Sequence, residues 1–193
     1  MLIGSNNSFS YLKPVSILDR LTWFLHRCQD IDYVEQYEKW NVRLFDVKIY
    51  FDTSNKVYFK NGNVTYVSPS IHEVLDYFNS KGDVKLIVTL EETEQDVMLY
   101  STDKMIERFK KFCKMIETAY PNIVCYGGRR SRDGIVLYEF ENNSYEQPCL
   151  DDGNTKKWYI KRFPFIAKYR NFKVIWGFKS KKDFLMLNFI NHR

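Results

Sequence analysis

Apolar and polar positions alternate along the chain in two different periods, and the periods take turns. In Arg43-Leu44-Phe45-Asp46-Val47-Lys48-Ile49-Tyr50-Phe51 the period is two. It predicts a strand with Phe45, Val47, Ile49 and Phe51 on one face and Asp46, Lys48 and Tyr50 on the other. Further strands are predicted at Leu2-Ile3, Val57-Tyr58-Phe59, VKLIVTLEE, NIVCY, IVLYEF, FKVIWGF and FLMLNFI. Helical spacing fills the intervals. Behind Ser16 as a cap, Ile17, Leu21, Phe24, Leu25 and Cys28 form one apolar face, expected to meet the core. A short helix is predicted over about Ile31 to Lys39. Ser70-Ile71-His72-Glu73 reads as a capping box, with Ile71, Val74, Leu75 and Phe78 inward and Gly82 as the stop. A long amphipathic helix from Thr102 to Ala119 turns Met105, Ile106, Phe109, Phe112, Cys113 and Ile116 inward, with Pro121 just beyond it.

Strands alternating with helices predict an α/β fold. Seven or eight strands in 193 residues fit one domain, 1–193, built as a compact or distorted (β/α) barrel of the TIM type. It is shorter than the ~250 residues typical of such barrels. Function in these barrels gathers at the carboxyl ends of the strands, and there the polar residues fall: Lys60-Asn61-Gly62, Glu91-Glu92, and Asn188, Asn191 and His192 near the end. The lack of a GxGxxG or P-loop pattern argues against a nucleotide-binding sheet.

Composition changes this picture only a little. Apolar residues at 45% and aromatic residues at 17% exclude disorder. A net charge of +5 favours anionic ligands, but the basic residues are mixed with acids, so nucleic acid is not the expected partner. Cys28, Cys113, Cys125 and Cys149 are widely spaced, and with three histidines no zinc site is expected. Neither a metal nor a cofactor is predicted. No signal peptide or membrane-spanning window is present, so a soluble cytoplasmic protein is expected, with contact at a membrane surface left open.

The chemistry begins at Gly4-Ser5-Asn6-Asn7-Ser8. This stretch resembles the Gly-Ser/Thr-His-Asn/Asp-Ser opening of the phosphatidylinositol-specific phospholipase C family. Val42-Arg43-Leu44-Phe45-Asp46-Val47-Lys48 is similar to that family's hydrophobic-Arg-x-Phe-Asp-Ile-Arg strand. Lys60-Asn61-Gly62, followed by the helix from Ile71, resembles its His-Gly pair and the next helix, and Leu185-Met186-Leu187-Asn188-Phe189 looks like its closing strand. The first three pieces cover about the first half of the chain in the right order.

The resemblance implies a phosphodiesterase site with its proton carriers exchanged. In the family one histidine is general base on the inositol 2-hydroxyl, the other protonates the leaving oxygen, and an acid orients the first. Asn6 and Asn61 stand at the two histidine positions, and Asn188 at an acid position. Amides hydrogen-bond but do not titrate in the useful range. Each lost acid or base is worth about 10²–10⁴-fold in rate. Lys48 stands where bacterial members carry Arg, and it disfavours the Ca²⁺ arrangement of other members, which needs oxygen ligands.

The expected ligand-binding set is Asn6, Asn7, Arg43, Asp46, Lys48, Asn61, Glu91, Arg129 and Asn188, with no confident catalytic residue. Arg129, Arg130 and Arg132 follow Gly127-Gly128 and read either as an anion-gripping loop or as a solvated basic turn. The expected function is to hold a phosphorylated small molecule without efficient turnover, sequestering it. Inositol phosphate, a lipid headgroup and a cyclic or dinucleotide signal all fit. Two alternatives stand beside it: an active phosphodiesterase or lyase with a rearranged set drawn from Asp46, Glu91, Glu139 or His192, and a non-enzymatic interaction scaffold.

Overall fold

The computed structural model describes residues 2–5, 8–61, 64–67, 69–91, 102–130, 136–139, 150–151 and 184–187. Its elements run β1 (Leu2–Ser5), α1 (Ile17–His26), α2 (Tyr33–Glu38), β2 (Val42–Phe51), β3 (Val57–Asn61), β4 (Val64–Thr65), α3 (Ile71–Lys81), β5 (Lys85–Leu90), α4 (Thr102–Ala119), β6 (Val124–Arg130), β7 (Val136–Glu139), β8 (Leu150–Asp151) and β9 (Phe184–Leu187). The predicted strand FKVIWGF lies outside the described residues.

One sheet has the order β7-β6-β5-β2-β1-β9-β8, and the path is open among the described residues. From β6 to β8 every neighbouring pair is parallel, whereas β7 returns antiparallel to β6. The first strand lies between the second and the last described one.

The alternation in β2 is borne out. Phe45, Val47, Ile49 and Phe51 are buried with Leu86, Val88 and Leu90 of β5 in the main core, which α3 and α4 complete with Leu75, Phe78, Phe109 and Ile116. The Phe45 and Phe78 rings sit 4.5 Å apart. Losing either ring costs about 3–5 kcal/mol at such a packed position. On the other face Leu44 is buried against Ile87 and Tyr126.

Three local expectations are corrected. In α1 the first part of the predicted apolar face does not meet the core: Ile17 and Leu21 are 74% and 71% exposed, whereas Cys28, just beyond the helix, is buried as expected. The helix is instead fixed by Trp23, whose Nε1 donates to the Ser10 carbonyl, and by Arg20 Nε on Pro14 O. With those two polar anchors in place, Ile17 and Leu21 at the start of the helix face outward. Ser16 and Ser70 both occupy the N-cap position, yet neither side chain makes a capping hydrogen bond, so the box at Ser70 is one of sequence only. Gly127-Gly128-Arg129-Arg130 is no loop: it is the second half of β6, paired with β7 through Gly128–Glu139 and Arg129–Tyr138. Gly82 does end α3 as expected, in the left-handed conformation at φ 76°.

Candidate functional site

The site follows from an interruption in the sheet. β2 is ten residues long, and β5 runs along one edge of it from Leu44 to Ile49. On the other edge β1 reaches only to Phe45, and the β3 ladder begins at Ile49. Between them the backbone of Asp46 would lack a partner, a costly state for a buried edge.

Ser8 takes that place. Its N–H donates to Asp46 O at 3.0 Å, and its Oγ accepts from Asp46 N at 2.9 Å. The same hydroxyl donates to Ser5 O at 2.9 Å. The opening loop is thus stapled to β2 by its last serine. Ser10 extends the fastening, its Oγ accepting from the N–H groups of Cys28 and Gln29 at 2.8 and 3.0 Å. Gln36 Nε2 donates to Ser8 O, and Gln29 Nε2 donates to Leu187 O in β9. Ser5, Ser8, Gln29 and Gln36 are fully buried. Ser5 Oγ has no hydrogen-bond partner among the described residues.

At the interruption a small cleft opens, about 180 Å³ including its mouth, lined by Phe9, Ser10, Asp46, Lys48, Phe59, Lys60, Asn61 and Tyr66. Asp46 and Lys48 come from the polar face of β2, and Lys60 and Asn61 from the carboxyl end of β3. Phe9 and Phe59 stack at 4.1 Å and form the apolar base. Lys48 Nζ lies 3.9 Å from Glu91, whose N–H donates to Ile49 O. Lys60 is only 5% exposed, and its ammonium stands 4.0 Å from the centre of the Tyr50 ring. Burial pushes the Tyr66 hydroxyl well above the usual tyrosine range, with the Asn61 side chain acting against it.

Of the residues expected from sequence, Asp46, Lys48 and Asn61 meet at this cleft, with Glu91 against Lys48. Arg43 does not join them. It lies toward the amino ends of the strands, ion-paired to Asp83 at 2.7 Å and stacked on Tyr37 at 4.0 Å. Arg129 is placed in β6 by its backbone pairing with Tyr138. Asn6, Asn7, Glu92, Arg132, Asn188 and His192 lie outside the described residues. Sequence inspection had not singled out Lys60, Ser10 or Tyr66 as site residues. Only Lys60 carried a usable signal: it shares a strand face with Tyr58, as Lys48 does with Tyr50.

None of the described lining residues is a histidine. His72 is exposed on α3, with Nδ1 3.0 Å from the Tyr120 hydroxyl. Cys28, Cys113 and Cys125 are buried thiols in no disulfide among the described residues, and Cys149 lies outside them. Burial pushes the Cys125 thiol up to about 12 and the Cys113 thiol higher still, so neither is a nucleophile at neutral pH. Among the described residues no cluster of His, Cys, Asp and Glu has the arrangement to hold a metal ion. Nor is any described helix long and apolar enough to cross a membrane.

No protein-family profile matches the chain, and no curated protein does. Solved structures do match. A double mutant of the phosphatidylinositol-specific phospholipase C from Staphylococcus aureus superimposes with a TM-score of 0.61 at 13% identity, over 97% of this chain and 84% of that one. A pentafluorophenylalanine-containing form of the enzyme gives 0.58 at 11%, over 97% and 85%. A form concerned with modulation of its membrane binding gives 0.57 at 11%, over 97% and 85%. At so low an identity the likeness is one of fold: the chain folds as the S. aureus phosphatidylinositol-specific phospholipase C does.

Proposed function

We propose that this chain is a phosphodiesterase-fold protein that binds a phosphorylated small molecule in the cleft between β2 and β3 and turns it over poorly or not at all. The observation that carries the proposal is the convergence of Lys48, Asp46 and Asn61 on one cleft with no histidine among its described lining. A cation and an amide bind a phosphate ester well, and neither exchanges protons near neutral pH. Asn6 and Asn61 at the two histidine positions of the resembling family support the same conclusion. The fold likeness to an enzyme named for phosphatidylinositol makes inositol phosphates or a lipid headgroup the first ligands to try, with cyclic and dinucleotide signals next. Sequestration of such a molecule is the use that fits binding without turnover.

The pairing of β1 on both edges, with β2 and with β9, supports closure of residues 1–193 into a single (β/α) barrel. Its short first strand would then be the seam.

Isothermal titration calorimetry against myo-inositol 1-phosphate and a cyclic dinucleotide tests the proposal. The expected result is micromolar or tighter binding of a phosphorylated ligand, weakened on the order of tenfold by Lys48→Ala, as befits one charge-assisted contact. Heat from none of these ligands would sink it. The paired variant Asn6→His/Asn61→His should gain phosphodiester cleavage where the natural sequence shows only background. Turnover by the natural sequence that Asp46→Asn abolishes would favour a rearranged active site instead, since Asp46 is the described carboxylate lining the cleft.

A further inference from the structure

The β3–β4 hairpin brings a buried hydroxyl to the side chain of Asn61. Its register pairs Asn61 with Val64 and Lys60 with Thr65, and the Tyr66 N–H donates to Phe59 O at 2.9 Å. Tyr66 therefore faces Phe59 across the hairpin, and Phe59 and Asn61, two apart on β3, share one face with it. All three line the cleft. The backbone around Tyr66 is clamped from its other side as well. Pro14 bridges to Tyr66, Val15 N–H donates to Thr65 O at 2.9 Å, and Val67 N–H donates to Lys13 O at 2.7 Å. The side chain is 1% exposed, so it has little freedom to swing. The Asn61 side chain hydrogen-bonds its hydroxyl, and that contact draws the hydroxyl pKa down while burial raises it. Lowering is the effect of a donor, so the nitrogen end of the Asn61 amide faces the Tyr66 oxygen.

We propose that Tyr66 is a positioning residue of the cleft: its hydroxyl fixes which end of the Asn61 amide is presented to a bound phosphoryl group. The proposal rests on the phosphate-binding function above and names the residue that gives Asn61 its part in it. An amide carries donors at one end and an acceptor at the other. A phosphoryl oxygen is an acceptor, so the N–H end attracts it and the carbonyl end repels it. The two ends exchange places by a half-turn about one broad torsion, and an unanchored amide would present both. Anchoring the nitrogen on the Tyr66 oxygen removes the half-turned state. Burial holds the Tyr66 hydroxyl neutral beyond the ordinary tyrosine value of 10.0, so the anchor does not titrate near neutral pH. The clamped backbone then carries that fixed direction into the cleft wall.

The test is a double-mutant cycle read by titration calorimetry with myo-inositol 1-phosphate as probe. Tyr66→Phe keeps the ring and removes only the hydroxyl. It should weaken the probe by about fivefold, and Asn61→Ala should weaken it by on the order of tenfold. Added to Asn61→Ala, Tyr66→Phe should change the affinity by no more than about twofold, because the group it acts through is gone. A hydroxyl that served the fold alone would weaken binding by the same factor in both backgrounds. That result, or an affinity unchanged by Tyr66→Phe in the natural background, would overturn the positioning role and leave the phosphate site standing. Absence of binding by the natural sequence would overturn both. Should either Tyr66→Phe or the double variant fail to fold by circular dichroism, the natural sequence decides by NMR. The Asn61 side-chain amide protons should show a nuclear Overhauser contact to the Tyr66 ring and shift as the probe saturates, and the lack of either overturns the proposal.

Discussion

At the scale of single residues, the question is which polar groups serve the fold and which face the cleft. Ser8 belongs wholly to the fold. Its hydroxyl donates to Ser5 O and accepts from Asp46 N, and it is fully buried. Ser8→Ala removes both bonds and strands a backbone N–H, which costs about 1–3 kcal/mol. Urea denaturation should show a lower midpoint with an unchanged slope. Asp46, Lys48 and Asn61 were legible in the sequence because strand alternation and a turn signal fix which way such residues face. Lys60 was legible only as part of the Lys60-Asn61-Gly62 turn, because its burial at the cleft depends on how two segments pack. The serine network was illegible for a similar reason. The sequence GSNNS does not reveal that β1 stops one residue short of Asp46, and that shortfall is what gives Ser8 its work.

At the scale of elements, two predictions separate packing from conformation. The exposed stripe of α1 carries Ile17, Leu18 and Leu21, all more than 70% exposed. Leu18→Gln and Leu21→Gln should therefore move stability by no more than about 0.5 kcal/mol, as surface substitutions do. Trp23→Ala should cost clearly more, because it removes the indole N–H bond to Ser10 O as well as a half-buried ring. Thermal melts of the three variants check the ranking, and the opposite order would restore the core-facing orientation. At the end of α3, Gly82 has φ 76° and nothing within 4 Å of where a Cβ would stand. Gly82→Ala should thus cost about 1–2 kcal/mol from backbone conformation alone, with no clash to relieve. The periodicity of α1 misled at Ile17 and Leu21 because a 3.6-residue stripe says that a helix has an apolar face but not what each part of that face meets. In α4 the same pattern was a correct guide, and Met105, Phe109, Phe112, Cys113 and Ile116 are buried, with Ile106 half-buried.

At the scale of the whole molecule, the amino end of the sheet is held by charge and the carboxyl end by buried amides. Below the strands Lys81 bonds to Glu38 at 2.7 Å, the Tyr77 hydroxyl donates to the same carboxylate, and Arg43 pairs with Asp83. The Lys81 and Tyr77 bonds hold Glu38 below the ordinary value of 4.5. A folded-state pKa below the unfolded one gives stability that is present above the unfolded value and lost as pH falls through the folded value. The melting-temperature difference between the natural sequence and Glu38→Gln should accordingly be constant at neutral pH and vanish in acid below pH 4.5.

Near the site the long-range tie is Gln29, fully buried, whose amide donates at 2.8 Å to the carbonyl of Leu187 in β9. The two residues are 158 apart in sequence, and this bond fastens the segment after α1 to the strand that also pairs with β1. No pattern in the sequence announces it, since a lone glutamine after a helix has no periodic partner. Gln29→Glu tests it with little change of volume. An ionised carboxylate cannot donate to Leu187 O and places two acceptors face to face in a buried position, whereas the protonated acid can donate again. The folded protein therefore raises the pKa of the introduced acid. Its stability deficit should be large at pH 7.5 and shrink as pH falls toward 5, through the raised value. Gln29→Leu, which has no proton to regain, should be destabilised at both pH values alike. A Gln29→Glu deficit independent of pH would mean that the amide of Gln29 does not hold the two ends of the chain together.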